Sequence, residues 1–219
     1  AATSAKMGGN IVGSSFEHPA TRSAAKYWAS QTNREYVNVQ HNDQNGHVTA
    51  ELYSKIVSPD TRVVTILHAS PVTGISVDLG AISKAVHSIS PEALIIVDGV
   101  QYAAHGGITI DQYNIDGYAI SPYKMYSRHG YGLAWVSDRL TKMNHEQLFD
   151  GPSENWELGT RDTGSYATIS NVVQYLEWLG EKIENTESRS VKLYNAAKAI
   201  VAQETALTDL MINGEDNIK

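Results

Sequence analysis

Short apolar or alternating runs are separated by amphipathic segments along the first 140 residues of the chain. The short runs are typical of buried strands, and the amphipathic segments are typical of helices that cover a sheet. The runs predict strands at residues 11–12, 35–39, 62–67, 94–98, 118–121 and 132–136. The spacing predicts helices at residues 21–30, 49–57 and 78–88, with Thr21, Thr49 and Asp78 as N-caps.

This alternation of strand and helix predicts an α/β fold with a mostly parallel sheet flanked by helices. Two longer helical patterns follow at residues 168–180 and 188–206, and the first has an apolar face. That face contains Val172, Val173, Leu176 and Leu179. The polar tail after residue 212 predicts a loop. We interpret residues 1–180 as one large domain and residues 181–219 as a connecting helix and the start of a further region.

Composition narrows the classes of partner and of chemistry. The chain has 219 residues, 42% of them hydrophobic, and a net charge of -7 without a basic block. This charge argues against nucleic acid or an anionic membrane as the main partner. No apolar run approaches the roughly 20 residues of a membrane span, and the first residues contain no hydrophobic signal core, so we expect a cytoplasmic protein. The absence of cysteine excludes disulfides, thiolate metal sites and a cysteine nucleophile within this chain.

An acid and an amine follow neighbouring predicted strands. Asp98 ends the apolar run at residues 94–98, and Lys124 comes shortly after the run at residues 117–120. Ligands of an open parallel sheet bind outside the carboxyl ends of its strands, so we expect both groups to face one crevice. The pair suits a pyridine cofactor, because a carboxylate can keep the ring nitrogen protonated while a lysine forms a Schiff base with the aldehyde.

Five motifs occur in the order of a known family. They are EHPA at 17–20, HASPVTG at 68–74, VDGVQ at 97–101, SPYKMY at 121–126 and WELGTRDT at 156–163. Together they resemble the class V aminotransferases, which are fold-type I enzymes dependent on pyridoxal 5'-phosphate (PLP), and the cysteine desulfurase-like branch in particular. The resemblance covers about residues 11–180. It implies the PLP-binding large domain of a longer enzyme, with the small C-terminal domain largely outside the chain.

The resemblance implies roles for residues around the cofactor ring. Lys124 would form the Schiff base and then act as the general base at the substrate Cα. Asp98 would bind the ring nitrogen, and Gln101 would hydrogen-bond the phenolic oxygen. His18 would stack on the ring face, where it could also carry a proton.

Further contacts are implied at the phosphate and beside the ring. Ser121 would bind a phosphate oxygen, and Thr160 would reach the phosphate of a neighbouring subunit's cofactor, which implies a homodimer. Ser70 belongs to the loop that lies beside the cofactor in this family. Tyr123 precedes the lysine and is also expected to contact the cofactor. Residues 2–5 (ATSA) faintly resemble the family's phosphate-binding turn.

The chain departs from the desulfurase pattern at several positions. Tyr123 stands where that branch usually has histidine, Pro71 stands where asparagine is common, and the nucleophilic cysteine is missing. The arginine that binds the substrate carboxylate is not identified by its motif. The candidates for that role are Arg22, Arg128 and Arg161.

The leading hypothesis is a PLP-dependent enzyme that acts on a small amino acid as a desulfurase-like lyase, an aminotransferase or an epimerase. The alternative is a catalytically silent family member that serves as a dimerisation or binding module. The missing cysteine favours this alternative, whereas the joint presence of Asp98, Gln101 and Lys124 argues against it. A nucleotide-binding domain lacks both glycine-rich phosphate motifs, and the scattered histidines show no metal-ligand spacing.

Overall fold

The structure is a computed structural model that describes residues 8–214. Residues 2–5 and the end of the polar tail, which carry two of the sequence predictions, lie outside the described residues. The chain divides into two compact units. Among the described residues, the sheet unit comprises residues 8–101, Thr109–Ile120 and Gly132–Arg161. The helical unit comprises Tyr102–Ile108, Ser121–Tyr131 and residues 162–214.

A six-stranded sheet forms the centre of the sheet unit, with the order β2-β1-β3-β4-β5-β6. The strands are β1 (Asn10–Ser14), β2 (Glu35–Val39), β3 (Thr61–Leu67), β4 (Leu94–Asp98), β5 (Gly117–Ile120) and β6 (Leu133–Val136). All neighbouring pairs are parallel except β5 and β6. The predicted strands and the mostly parallel sheet are therefore confirmed. The chain passes from β1 to β2 and returns past β1 to β3, so the strand order reverses between β1 and β3.

The strands contribute the most deeply buried side chains of this unit, because both faces of the sheet are covered. Val12, Val64, Ile95 and Val97 have no exposed side-chain surface, as expected for strands of a parallel sheet. The predicted helices of this unit are present as α1 (Pro19–Gln31), α2 (Ala50–Ile56) and α3 (Leu79–Ile89), and a short helix α4 (Asp138–Thr141) follows β6.

Two of the three predicted helix caps are confirmed. The side chains of Thr49 and Asp78 accept hydrogen bonds from the first turns of α2 and α3. The N-cap prediction for Thr21 is wrong, because α1 begins two residues earlier with Pro19 and is capped by His18. Proline is well suited to a first helical position, where its missing N–H needs no partner. Thr21 is thereby placed inside the first turn of α1.

The helical unit is built on α5 (Thr163–Glu181) and α6 (Arg189–Asn213). Both helices are predicted by the sequence, although α6 continues past the expected end at residue 206. The two helices approach closely at Gly180, where a Cβ atom would lie 1.8 Å from the carbonyl oxygen of Lys192. Only glycine fits this position without a shift of the backbone. Within residues 8–214, no helix has the length and apolar character needed to cross a membrane.

Candidate functional site at the carboxyl ends of the strands

Asp98 ends β4, an interior strand of the sheet, and its carboxylate is held by two donors. The backbone N–H of Val100 donates to Oδ1 over 3.1 Å, and the hydroxyl of Thr21 donates to Oδ2 over 3.2 Å. The side chain is half-buried. The carboxylate is thus fixed in direction at the carboxyl edge of the sheet, where ligands of parallel α/β folds bind.

The first turn of α1 forms one wall beside Asp98. His18 caps this turn, and its Nδ1 accepts a hydrogen bond from the N–H of Ala20 over 3.2 Å. The His18 side chain is exposed. Thr21, in the same turn, makes the contact to Asp98. The structure therefore brings the predicted residues His18 and Asp98 to the same corner of the sheet unit, and Thr21 links them.

Gly99 allows the chain to turn directly after Asp98. A Cβ atom at this position would lie 2.0 Å from the ring of Tyr118, which is itself buried. The backbone therefore rests on the face of the tyrosine, and only glycine permits this approach. Gln101, the next predicted cofactor contact, follows two residues later and is half-buried.

The loop after β3 lies beside β4. The N–H of His68 donates to the carbonyl oxygen of Asp98 over 3.0 Å, and the His68 Nδ1 lies 2.8 Å from the Tyr118 hydroxyl. Ser70 is also buried, and its hydroxyl accepts hydrogen bonds from the N–H groups of Val72 and Thr73. In this structure the Ser70 hydroxyl thus stabilises its own loop, while its predicted contact with the cofactor stays a prediction.

The burial of His68 makes the stability of the folded protein depend on pH. Its side chain is 3% exposed, and desolvation lowers its pKa from 6.5 to about 4. Between these values the His68 imidazole binds a proton in the unfolded chain but not in the folded chain. The free energy of unfolding therefore decreases as pH falls from about 6.5 towards 4. Glutamine does not titrate, so the His68→Gln protein lacks this pH dependence. We expect the difference in free energy of unfolding between the wild type and His68→Gln to decrease by about 3 kcal/mol as pH falls over this range.

Chemical denaturation of the wild type and His68→Gln at pH 7 and pH 4.5 measures this difference. His47→Gln provides the control for the replacement of a histidine by glutamine, because His47 is exposed. An equal difference between wild type and His68→Gln at both pH values would show that His68 is not held neutral by the fold.

The predicted lysine lies in the helical unit. Residues Pro122–Lys124 form a short 3-10 helix, in which the N–H of Lys124 donates to the carbonyl oxygen of Ser121 over 3.0 Å. The Lys124 Nζ lies 5.9 Å from the centre of the Tyr123 ring. Tyr123 stacks on His129 with 4.0 Å between ring centres. Lys124 and Ser121 are half-buried, so the amine stands in a partly desolvated, aromatic setting.

The predicted site residues fall into two groups, one in each unit. His18, Ser70, Asp98, Gln101 and Thr160 belong to the sheet unit, and Ser121, Tyr123 and Lys124 belong to the helical unit. Thr160 is exposed, on a segment without regular secondary structure. The chain connects the groups through β5, whose Ala119 pairs in register with Asp98 and which ends immediately before Ser121.

Sequence analysis missed two residues of this region. Thr21 was predicted as a helix cap, and its hydrogen bond to Asp98 joins residues 77 positions apart, which no local pattern reports. Glu17 was noted only as part of the EHPA motif, yet it is 2% exposed. An acid next to a helix cap is ordinarily solvated, so its burial had no sequence signal.

The fold and these positions define an α/β protein with polar groups gathered at the carboxyl edge of a mostly parallel sheet. The chain belongs to the class-V aminotransferase family, because the family model of that description matches residues 1–208. The resemblance found in the motifs is thereby confirmed.

Individual relatives agree with this assignment. The chain is 30% identical to cysteine desulfurase CsdA of Escherichia coli (strain K12) over 210 residues, which are 90% of this chain and 51% of CsdA. The crystal structure of E. coli CsdA matches with a TM-score of 0.71 and 24% identity, over 98% of this chain and 52% of that one. A C-DES variant with glycine covalently linked to the PLP cofactor matches with a TM-score of 0.59 and 18% identity, over 91% of this chain and 50% of that one. The chain therefore spans about half the length of the relatives it matches.

Proposed function

We propose that this chain is the cofactor-binding part of a PLP-dependent enzyme that acts on a small amino acid. The observation that carries the proposal is the carboxylate of Asp98, held at the end of β4 by the Thr21 hydroxyl and the Val100 amide. Membership of the class-V aminotransferase family and the relation to a cysteine desulfurase support it.

The residues present fit a pyridine cofactor. A fixed carboxylate can accept a hydrogen bond from a protonated ring nitrogen, and Asp98 is fixed by two donors. An exposed, flat imidazole can cover a ring, and His18 provides one on the helix turn that contacts Asp98. Lys124 supplies an amine in an aromatic setting. The chain therefore contains a carboxylate, an imidazole and an amine of the kinds that hold a PLP ring.

PLP, when bound, would supply the electron sink that stabilises negative charge at the substrate Cα. Lys124 would hold the cofactor through its amine and, once displaced by the substrate, would move the proton at Cα. Asp98 would hold the proton on the ring nitrogen, and Gln101 would donate to the phenolic oxygen. His18 would cover the ring and exclude water from one face.

The remaining predicted contacts belong to the phosphate and the ring edge. Ser121 would donate to a phosphate oxygen, and Tyr123 and Ser70 would border the cofactor. Thr160, which is exposed, would reach the phosphate of a partner subunit's cofactor, so we propose a homodimer. We also propose that residues 1–180 form the PLP-binding domain, that residues 181–219 begin the connection to a further region, and that the enzyme is cytoplasmic.

Identification of the product would distinguish the reaction types within this class of enzyme. The chain contains no cysteine, so the persulfide-forming nucleophile of a desulfurase is not supplied by these residues. Formation of alanine from cysteine, with the sulfur released as sulfide by an added thiol reductant, would indicate a desulfurase-like lyase. A keto acid would indicate an aminotransferase, and inversion at Cα without either product would indicate an epimerase.

The visible spectrum of the protein with PLP tests the proposal, followed by borohydride reduction and peptide mapping. We expect an absorption band of bound PLP that disappears on reduction, with the stable adduct on Lys124. A folded, dimeric protein without the band would contradict the proposed enzyme and would support a non-catalytic binding module. An adduct on another lysine would contradict the assignment of Lys124.

A further inference from the structure

Glu17 is a buried acid that joins two loops next to Asp98. It lies in the turn between β1 and α1 and is 2% exposed. Its Oε1 accepts hydrogen bonds from the N–H of Ser14 over 3.4 Å, the hydroxyl of Ser14 over 3.0 Å and the N–H of Leu67 over 3.1 Å. Ser14 ends β1 and Leu67 ends β3, so one oxygen atom ties together the carboxyl ends of both strands.

This position is where the strand order of the sheet reverses. In open α/β sheets, the crevice at such a reversal is the preferred place for a ligand. Leu67 pairs in register with Asp98, and the residue after Glu17 is the α1 cap His18. The carboxyl group of Glu17 is therefore connected to Asp98 on one side through β3, and on the other side through the first turn of α1, where Thr21 donates to Asp98.

The second oxygen of Glu17 has no hydrogen-bond partner among the described residues. Glu17 Oε2 is buried without a hydrogen-bond partner, and so are the Tyr36 hydroxyl and the Thr65 Oγ1. The ionisable groups that act on Glu17 are Asp98 on β4, Tyr36 on β2 and Tyr53 on α2. None of these three groups is a cation, and Arg22 on α1 acts on Tyr36. Among the described residues, Asp98 is the charged group that acts on Glu17.

We propose that Glu17 is a positioning residue for the cofactor site, whose carboxyl group fixes the β1–α1 turn against the end of β3 and so holds the first turn of α1 at Asp98. This inference rests on the proposed function as far as the cofactor is concerned. Glu17 itself does not touch the reacting atoms in this arrangement. It acts through His18 and Thr21, which the turn carries.

Below about pH 7, Glu17 acts in this way as a neutral acid. Burial raises its pKa to about 7, and the nearby Asp98 carboxylate contributes in the same direction. Since the unfolded value is near 4.5, the contribution of Glu17 to stability is complete below pH 4.5 and is lost as pH rises through about 7. Glutamine is also neutral and offers the same acceptor oxygen, so Glu17→Gln is the conservative replacement.

The test compares Glu17→Ala, Glu17→Gln and the wild type by PLP titration, followed in the visible band, and by amide hydrogen exchange of the cofactor-free protein. The amides to follow are those of Leu67, which donates to Glu17, and Arg22, which donates to His18 in the first turn of α1. We expect Glu17→Ala to weaken PLP binding about tenfold and to remove the protection of both amides. We expect Glu17→Gln to stay within about twofold of the wild type.

Ile82→Ala separates positioning from general loss of stability. Ile82 is buried in α3, and its apolar side chain forms no hydrogen bond with Glu17 or Asp98. We expect this variant to unfold more easily and to bind PLP as the wild type does. Equal loss of PLP binding in Ile82→Ala and Glu17→Ala would overturn the proposal, and so would a Glu17→Ala protein with unchanged affinity and protection.

The two readouts also separate this inference from the proposed function. If the wild type does not bind PLP, the proposed function fails, while exchange at Leu67 and Arg22 still decides whether Glu17 holds the turn. If the wild type binds PLP on Lys124 and Glu17→Ala does so equally well, the proposed function stands and the role of Glu17 is overturned.

Discussion

Lys124→Ala is expected to abolish the covalent attachment of PLP completely. The amine is the group that we propose to hold the cofactor aldehyde, and alanine offers no replacement nucleophile. Spectra recorded with excess PLP should lack the band of the bound cofactor, and mass spectrometry after borohydride reduction should find no adduct. The fold should be retained, because the Lys124 side chain is half-buried and stands on a short 3-10 helix.

Lys198→Ala is the matched control for this experiment. Lys198 belongs to the same helical unit, is exposed, and places its Nζ 5.4 Å from the centre of the Tyr194 ring. The two lysines therefore share an aromatic neighbour and differ in their proposed role. We expect the Lys198→Ala protein to form the adduct as the wild type does. A persisting adduct in Lys124→Ala would assign the attachment to another lysine.

Asp116→Ala is expected to cause a large loss of stability, about 2–3 kcal/mol. Asp116 precedes β5 and is 3% exposed. Its Oδ2 accepts from the N–H of Ile95 over 2.9 Å and from Arg139 over 2.6 Å, and its Oδ1 accepts from Arg139 and the Ser137 hydroxyl over 2.9 Å each. Removing the acid leaves the buried N–H of Ile95 without its acceptor. It also removes the ion pair of Arg139, whose guanidinium keeps its hydrogen bonds to two backbone carbonyl oxygens. The carboxylate also raises the pKa of Arg139, chiefly through these hydrogen bonds.

Equilibrium denaturation in urea measures this loss, with Asp138→Ala as the control. Asp138 is an exposed acid at the start of α4, so its removal should cost about 0.3–1 kcal/mol at most. Since Asp116 lies at the amino end of β5, away from the carboxyl edge that carries Asp98, we expect Asp116→Ala to keep its PLP affinity under conditions in which it stays folded. Similar losses of stability in the two variants would show that the ion pair between Asp116 and Arg139 contributes little.

Elements whose cause is local were predictable from the sequence. β4 is an apolar run, and Asp78 caps α3 through a contact three residues along the chain. The boundary of α1 was misplaced because two local signals competed, a threonine and a preceding His-Pro pair, and the proline fixed the start. Helix α6 also continues seven residues past the predicted end, to Asn213, although residues 207–213 include Leu207, Leu210, Met211 and Ile212.

The candidate site likewise combines features that the local sequence predicts with features that only the packing of the fold produces. The sequence by itself determined that Asp98 ends a buried strand, that Lys124 follows the next one, and that the motif order is that of the class V aminotransferases, because these features depend on neighbouring residues and on residue order. Only the tertiary structure decided that Thr21 and Val100 orient Asp98, that Glu17 joins the ends of β1 and β3, and that His68 is held neutral. Hydrogen bonds between distant residues and the desolvation of a carboxyl group or an imidazole arise from packing, and packing is set by the whole fold rather than by any segment of the chain.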